Sequence, residues 1–135
     1  MESIFIDIDN DNDLDLYVVS GGNEFNNRSI ELADRIYLND GKGNFKRDTQ
    51  EDLQNYTISG KTVTEIDYDN DGDSDIIIGN RIQTKKYPIH EPSIIYENIS
   101  GKFYNNTYNI APEFENFGIV NKVIKTDINN DGGDD

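Results

Sequence analysis

The stretch DIDNDNDLDLYVVSGG, Asp7 to Gly22, decides how this chain is read. Its first nine residues place aspartates at alternate positions, Asp7, Asp9, Asp11, Asp13 and Asp15, and an apolar run follows at once. Carboxylates this close repel by roughly 1–4 kcal/mol per pair near a protein surface. With 12 basic against 27 acidic residues and a net charge of −15, the chain has few cations of its own to offset them. Either the segment is solvated and unfolded, as acidic polar chains often are, or something bound compensates it. The 8 Tyr, 6 Phe and clusters such as Ile76, Ile77 and Ile78 argue for a folded chain.

The segment recurs. DIDNDNDLD starts at Asp7, DYDNDGDSD at Asp67 and DINNDGGDD at Asp127, each sixty residues after the one before. A second motif repeats in phase, RIYLNDGKGNF from Arg35 and SIIYENISGKF from Ser93, which pairs Tyr37 with Tyr96, Asn39 with Asn98 and Phe45 with Phe103. Two different motifs in register mark a true internal repeat.

Within each unit the pattern is β. Residues 4–6 and 63–66 precede the acidic loop, and residues 14–19 and 76–79 follow it. Ile- and Tyr-rich third strands are expected at 36–39 and 95–98. The Gly-rich turns NDGKGNF and ISGKF lead to short fourth strands near Phe45 and Phe103. SIELADRIY, from Ser29, is the one place where a helical turn fits, with Ser29 as its cap. Four short antiparallel strands make one blade of a β-propeller. The expected fold is therefore all-β, a partial, open propeller: a first blade in residues 1–50, a second in 51–112, and the first strand and loop of a third in 113–135. A closed ring at this repeat length needs about 240 to 480 residues, so the chain reads as a segment of a longer protein.

The loop pattern D-x-[DN]-x-D-[GN]-x-x-D offers oxygens at positions one, three and five with a closing carboxylate, a donor set for a hard cation such as calcium. The expected side-chain ligands are Asp7, Asp9, Asp11 and Asp15 in the first loop, and Asp67, Asp69, Asp71 and Asp75 in the second. In the third they are Asp127, Asn129, Asp131 and Asp135. Position seven contributes its carbonyl, from Asp13, Asp73 and Gly133, with the Asp13 and Asp73 side chains turned to solvent. Position six needs a left-handed backbone, which suits Gly72 and Gly132 and is tolerable for Asn12. A helix–loop–helix calcium motif requires Glu at position twelve, where Val18 and Ile78 stand inside apparent strands, and that reading fails. Magnesium prefers stricter octahedral geometry and is the less suited ion.

At these residues the chain resembles the FG-GAP/VCBS repeats, the blades of integrin-α-like propellers. DIDNDNDLDLYVVSGGNE, RIYLNDGKGNF and DYDNDGDSDIIIGNR carry the likeness. KYPIHEPS and GIVNKVIKTDINNDG are similar to the cartilage-acidic-protein-like, UnbV-associated branch of bacterial secreted proteins. The resemblance implies calcium between the first two strands of each blade, an extracellular or cell-surface address, and a binding or adhesive role.

The acidic balance excludes a nucleic-acid footprint and docking on anionic membranes, and no run is long enough to insert in a bilayer. With no Cys there is no thiolate chemistry. His90 is the single histidine and reads as a surface loop residue; no nucleophile–base pair can be named, so the chain is not expected to be an enzyme. The expected partners are a protein or glycan ligand and the remaining blades of the parent propeller. The loops most different between the two copies, residues 23–34 and 83–92, are either binding loops or tolerated insertions. Tyr56, Tyr87 and Tyr104 are candidates to stack on sugars. The alternative is the propeller part of a polysaccharide-processing enzyme whose catalytic residues lie elsewhere.

Overall fold

The computed structural model describes residues 2–129. Eight strands form two separate four-stranded antiparallel sheets in sequential order. The first holds β1 (Ser3–Ile6), β2 (Asp15–Val18), β3 (Arg35–Asn39) and β4 (Phe45–Asp48). The second holds β5 (Gly60–Ile66), β6 (Asp75–Asn80), β7 (Ile94–Ile99) and β8 (Lys102–Asn105). These are two blades of an open propeller, and neither sheet closes on itself.

The period-two alternation of each strand sorts side chains onto two faces. In the first blade Ile4 pairs with Tyr17, and Tyr17 with Ile36, so these residues share a face. In the second blade Val63, Ile78 and Ile94 form one row, and Ile76 with Tyr96 the next. These two faces meet in a single core that holds Ile6, Tyr17, Val19, Ile36, Val63, Ile76, Ile78, Ile94, Tyr96 and Phe103. Tyr17 and Phe103 meet edge-on across the seam at 5.8 Å between ring centres, a geometry worth about 0.5–1.5 kcal/mol beyond burial.

The connection between blades also binds them. Gln50 accepts from the Phe103 N–H at 2.8 Å and donates to the Gly101 carbonyl at 2.9 Å, while Asp52 accepts from the Asn105 N–H at 2.9 Å. The outer edge of β8 is thus occupied by the short helix α1 (Glu51–Asn55) and the residue before it, which blunts an open strand edge.

Helical turns are the main departure from the expected pattern. A 3-10 turn at Ile30–Leu32 sits where one was expected, but the Ser29 side chain does not cap it and bonds Glu31 instead. Helices α1 and α2 (Thr107–Ile110) and a 3-10 turn at Pro112–Asn116 are too short to show a 3.6-residue period in the sequence. Beyond them the chain runs along the far face of the second blade. The Val120 N–H donates to the Asn80 carbonyl at 2.9 Å, and the Thr64 hydroxyl to the Val123 carbonyl at 2.8 Å. A β-carbon at Gly79 would come within 2.6 Å of the Val120 side chain, so that approach requires glycine.

Candidate metal centre

Each acidic loop joins the first two strands of its blade and folds around its own carboxylates. In the first loop Asp7 accepts from the N–H groups of Asp11 at 3.2 Å and Asn12 at 2.9 Å, and Asp11 accepts from Asp13 at 2.9 Å. In the second loop Asp67 accepts from Gly72 at 3.2 Å, Asp69 from Asp71 at 3.3 Å, and Asp71 from Asp73 at 2.8 Å. These bonds wind the backbone tightly enough to need positive φ at two places. Position six is left-handed as expected, at Asn12 (69°) and Gly72 (93°). Position four is left-handed too, at Asn10 (60°) and Asn70 (59°), and Asn is the residue type besides Gly that adopts this conformation most readily.

The winding brings carboxylate oxygens within 4.8 Å of one another for Asp7, Asp9 and Asp15 in the first loop, and for Asp67, Asp69 and Asp71 in the second. Asp11 and Asp75 lie outside these trios. In the third loop Asp127 and Asn129 fall at the end of the described chain, and Asp131, Gly133 and Asp135 lie outside the described residues.

The closing aspartates are buried and double as struts. Asp15 accepts from the N–H groups of Ile8 at 3.0 Å and Asn39 at 2.8 Å; Asp75 accepts from Tyr68 at 3.2 Å and Asn98 at 2.7 Å. Each therefore ties the mouth of its loop to the end of the third strand. Asn39 and Asn98 complete the tie by donating their side-chain amides to the carbonyls of Leu14 and Ser74, both at 3.2 Å, and by accepting from Gly43 and Gly101. The sequence showed these asparagines as repeat partners, and their shared duty was not readable from it.

Position seven departs from expectation. The Asp73 side chain is half-buried and not turned to solvent: it accepts from the Asn10 side chain of the first loop and from the Ser100 N–H at 3.0 Å. Asp13 is half-buried as well, close enough to Gly41 that a β-carbon there would meet its carboxylate at 2.3 Å. The neighbouring hairpin turn takes the place of solvent in both cases. His90 is also half-buried, bridged to Ile82, with its Nδ1 lacking a hydrogen-bond partner.

The donor set fits a hard cation. Asp67 Oδ1 is sealed from solvent and accepts no hydrogen bond, which is costly for an anionic oxygen. Burial, reinforced by Asp11, Asp15 and Asp7, holds the Asp9 carboxyl above the usual carboxylate range. Burial, with Asp69 and Asp71 adding to it, pushes Asp75 up to about 6 against the pull of the Asn98 and Tyr68 N–H groups. All the converging donors are oxygens, the chemistry that calcium and magnesium take.

A repeat-built β-propeller segment with an acidic loop in each blade is what the fold and these loops define. The model of the FG-GAP-like repeat matches residues 7–78, and the chain belongs to that family. No curated protein and no solved structure matches it.

Proposed function

We propose that the chain is a calcium-stabilised propeller segment of a secreted or cell-surface protein, and that it serves as a binding or adhesion scaffold without catalysis of its own. The observation that carries the reading is the pair of carboxylate trios, each within 4.8 Å, in loops of identical backbone handedness. Asp7, Asp9 and Asp15 would hold one ion and Asp67, Asp69 and Asp71 another, with Asp11 and Asp75 adjoining. Calcium is favoured over magnesium because it accepts irregular coordination by oxygens alone, whereas magnesium demands a near-ideal octahedron and keeps several waters. The extracellular address rests on the repeat family and on millimolar calcium there. No helix among the described residues is long and apolar enough to cross a membrane.

The far ends of the blades would present the ligand surface. Residues 23–34 and 83–92 interlock there: the Lys85 N–H donates to Asn23 at 2.7 Å, its ammonium to Asn26 at 3.0 Å, and Arg28 pairs with the buried Glu91 at 3.5 Å. Loops braced on each other in this way present a fixed surface, as binding loops do. Tyr56 and Tyr87 are 41% and 79% exposed near this end and are available to a protein or glycan. The uncovered face of the first blade, with Phe5 and Phe45 exposed, is the place for another blade of the parent ring.

The test is thermal unfolding of the full chain in calcium and in chelator. Extracellular modules bind calcium at about 10⁻⁴–10⁻³ M. At ten times the dissociation constant each occupied site adds about 1.4 kcal/mol of stability. An unchanged Tm across millimolar calcium overturns the structural-ion reading.

A further inference from the structure

The two acidic loops are not independent units. The Asn10 side chain, at position four of the first loop, donates to Asp73 at position seven of the second, and Asp73 in turn accepts from the Ser100 N–H at 3.0 Å. Asn98 is fully buried and donates to the Ile8 carbonyl of the first loop at 2.8 Å and to the Ser74 carbonyl of the second at 3.2 Å. The turn that follows presses on the first loop, since a β-carbon at Gly101, where φ is +83°, would lie 3.2 Å from the Asp9 β-carbon. Among the described residues, the bonds of Asn39, the counterpart of Asn98, stay within its own blade, to Asp15, Leu14 and Gly43.

Building on the calcium reading above, we propose that cation binding at the two loops is coupled through the Asn10–Asp73 and Asn98–Ile8 bridges. Asn98 is the positioning residue for both loops. An ion that orders residues 67–75 fixes Asp73 and the Ser74 carbonyl, and these hold Asn10 and the Ile8 carbonyl in the conformation the first loop needs. The coupling carries a direction that electrostatics alone does not. An ion in the second loop repels one in the first, so charge by itself makes the loops antagonistic; the bridges make them cooperative.

The experiment is a calcium titration of the full chain followed by hydrogen exchange, read separately on peptides covering residues 4–17 and 63–77. Asp69→Ala disables the second loop. The coupling predicts that D69A weakens calcium protection of the first loop by threefold or more. Pure charge effects predict the reverse, since losing the ion leaves the second loop more negative. Asn10→Gly removes the amide bridge and keeps the left-handed backbone; in that background the D69A effect on the first loop falls below twofold. Two ions bound with the first loop indifferent to D69A, or bound tighter, overturns the coupling and leaves the calcium reading intact. Absence of calcium protection in either loop of the unaltered chain overturns both.

Discussion

Phe45 and Phe103 occupy the same place in two copies of one unit, opposite Asn39 and Asn98 near the end of the third strand. Yet Phe45 is 45% exposed and Phe103 only 2%. The same contrast runs across the face: Phe5, Leu16 and Tyr37 form a row in the first blade that is exposed or half-buried, while Ile76 and Tyr96 in the second are buried. Local sequence builds both sheets alike. What differs is a neighbour, since the second blade has the Tyr17 face of the first laid against it. Burial in this architecture is thus a property of the seam between units, as nearest-neighbour stacking of repeats requires.

The sharpest way to break that comparison is to truncate both phenylalanines. Phe103→Ala empties a filled core site and is expected to cost about 3–5 kcal/mol, against about 0.5 kcal/mol for the exposed Phe45. Urea denaturation of the two variants measures the difference. Equal losses would mean that the seam contributes little and that each sheet stands alone.

The closing aspartates sharpen the comparison next. Asp15→Ala strands the Ile8 and Asn39 amides, and Asp75→Ala strands those of Tyr68 and Asn98. Each loss is expected to cost about 2–4 kcal/mol in chelator. The Asp75 variant should sit at the high end, because Asn98 also holds Ile8 across the seam. Denaturation midpoints of the two variants that rank the other way would place the strut within the blade alone.

How much of this was legible beforehand follows from distance along the chain. The strands, their order and the acidic loops were readable because each rests on neighbours within one hairpin: alternating apolar residues, Gly and Asn turns, and a motif repeated in phase. The left-handed position six was readable from Gly72, and position four was not, because Asn70 and Asn10 are unremarkable among so many asparagines. The local pattern leaves Asp73 facing solvent, because its partners, Asn10 and Ser100, lie far off in sequence. Asn98 reaches Ile8 across ninety residues, and no local pattern records that bond. Helix α1 is too brief to leave a period in the sequence, and its duty, covering the edge of β8, belongs to the same class of seam contact.

A third difference between the blades is electrostatic. The first blade buries Asp34, which accepts from the Tyr17 hydroxyl at 2.8 Å and the Ser20 N–H at 2.7 Å. At the matching position ahead of its third strand the second blade has Ser93, and its buried acid there, Glu91, stands two residues earlier and pairs with Arg28 instead. Burial outweighs those bonds and pushes the Asp34 carboxyl up to about 7 from an ordinary 3.8. A raised folded pKa gives a contribution fully present below the unfolded value and lost as pH rises through the folded one. Asp34 therefore favours the folded state at about pH 4 and withdraws that support towards about pH 8. Asp34→Asn, whose amide can still meet both Tyr17 and a backbone donor, is expected to flatten this component. The check is the difference in Tm between variant and unaltered chain, followed from about pH 5 to about pH 8 in chelator. A constant difference would show that Asp34 titrates as an exposed acid does.

The smallest expected effect concerns position six, where the blades differ by Asn12 against Gly72, both left-handed at φ of 69° and 93°. A β-carbon at Gly72 would meet nothing within 4 Å, so a substitution there reports on backbone conformation alone. Gly72→Ala is expected to cost about 1 kcal/mol, because alanine has neither glycine's freedom nor asparagine's local hydrogen bonding at φ of +93°. Gly72→Asn, which copies the first loop, should cost less than half of that. Asn12→Gly copies the second loop and sets relief of left-handed strain against the extra freedom of the unfolded chain, so the two nearly cancel, within about 0.5 kcal/mol. All three are read from urea midpoints in chelator, where ion binding does not mask the backbone contribution. If Gly72→Ala proved as neutral as Asn12→Gly, the ion-free loop would not hold position six left-handed, and the tight winding would be something the cation imposes on it.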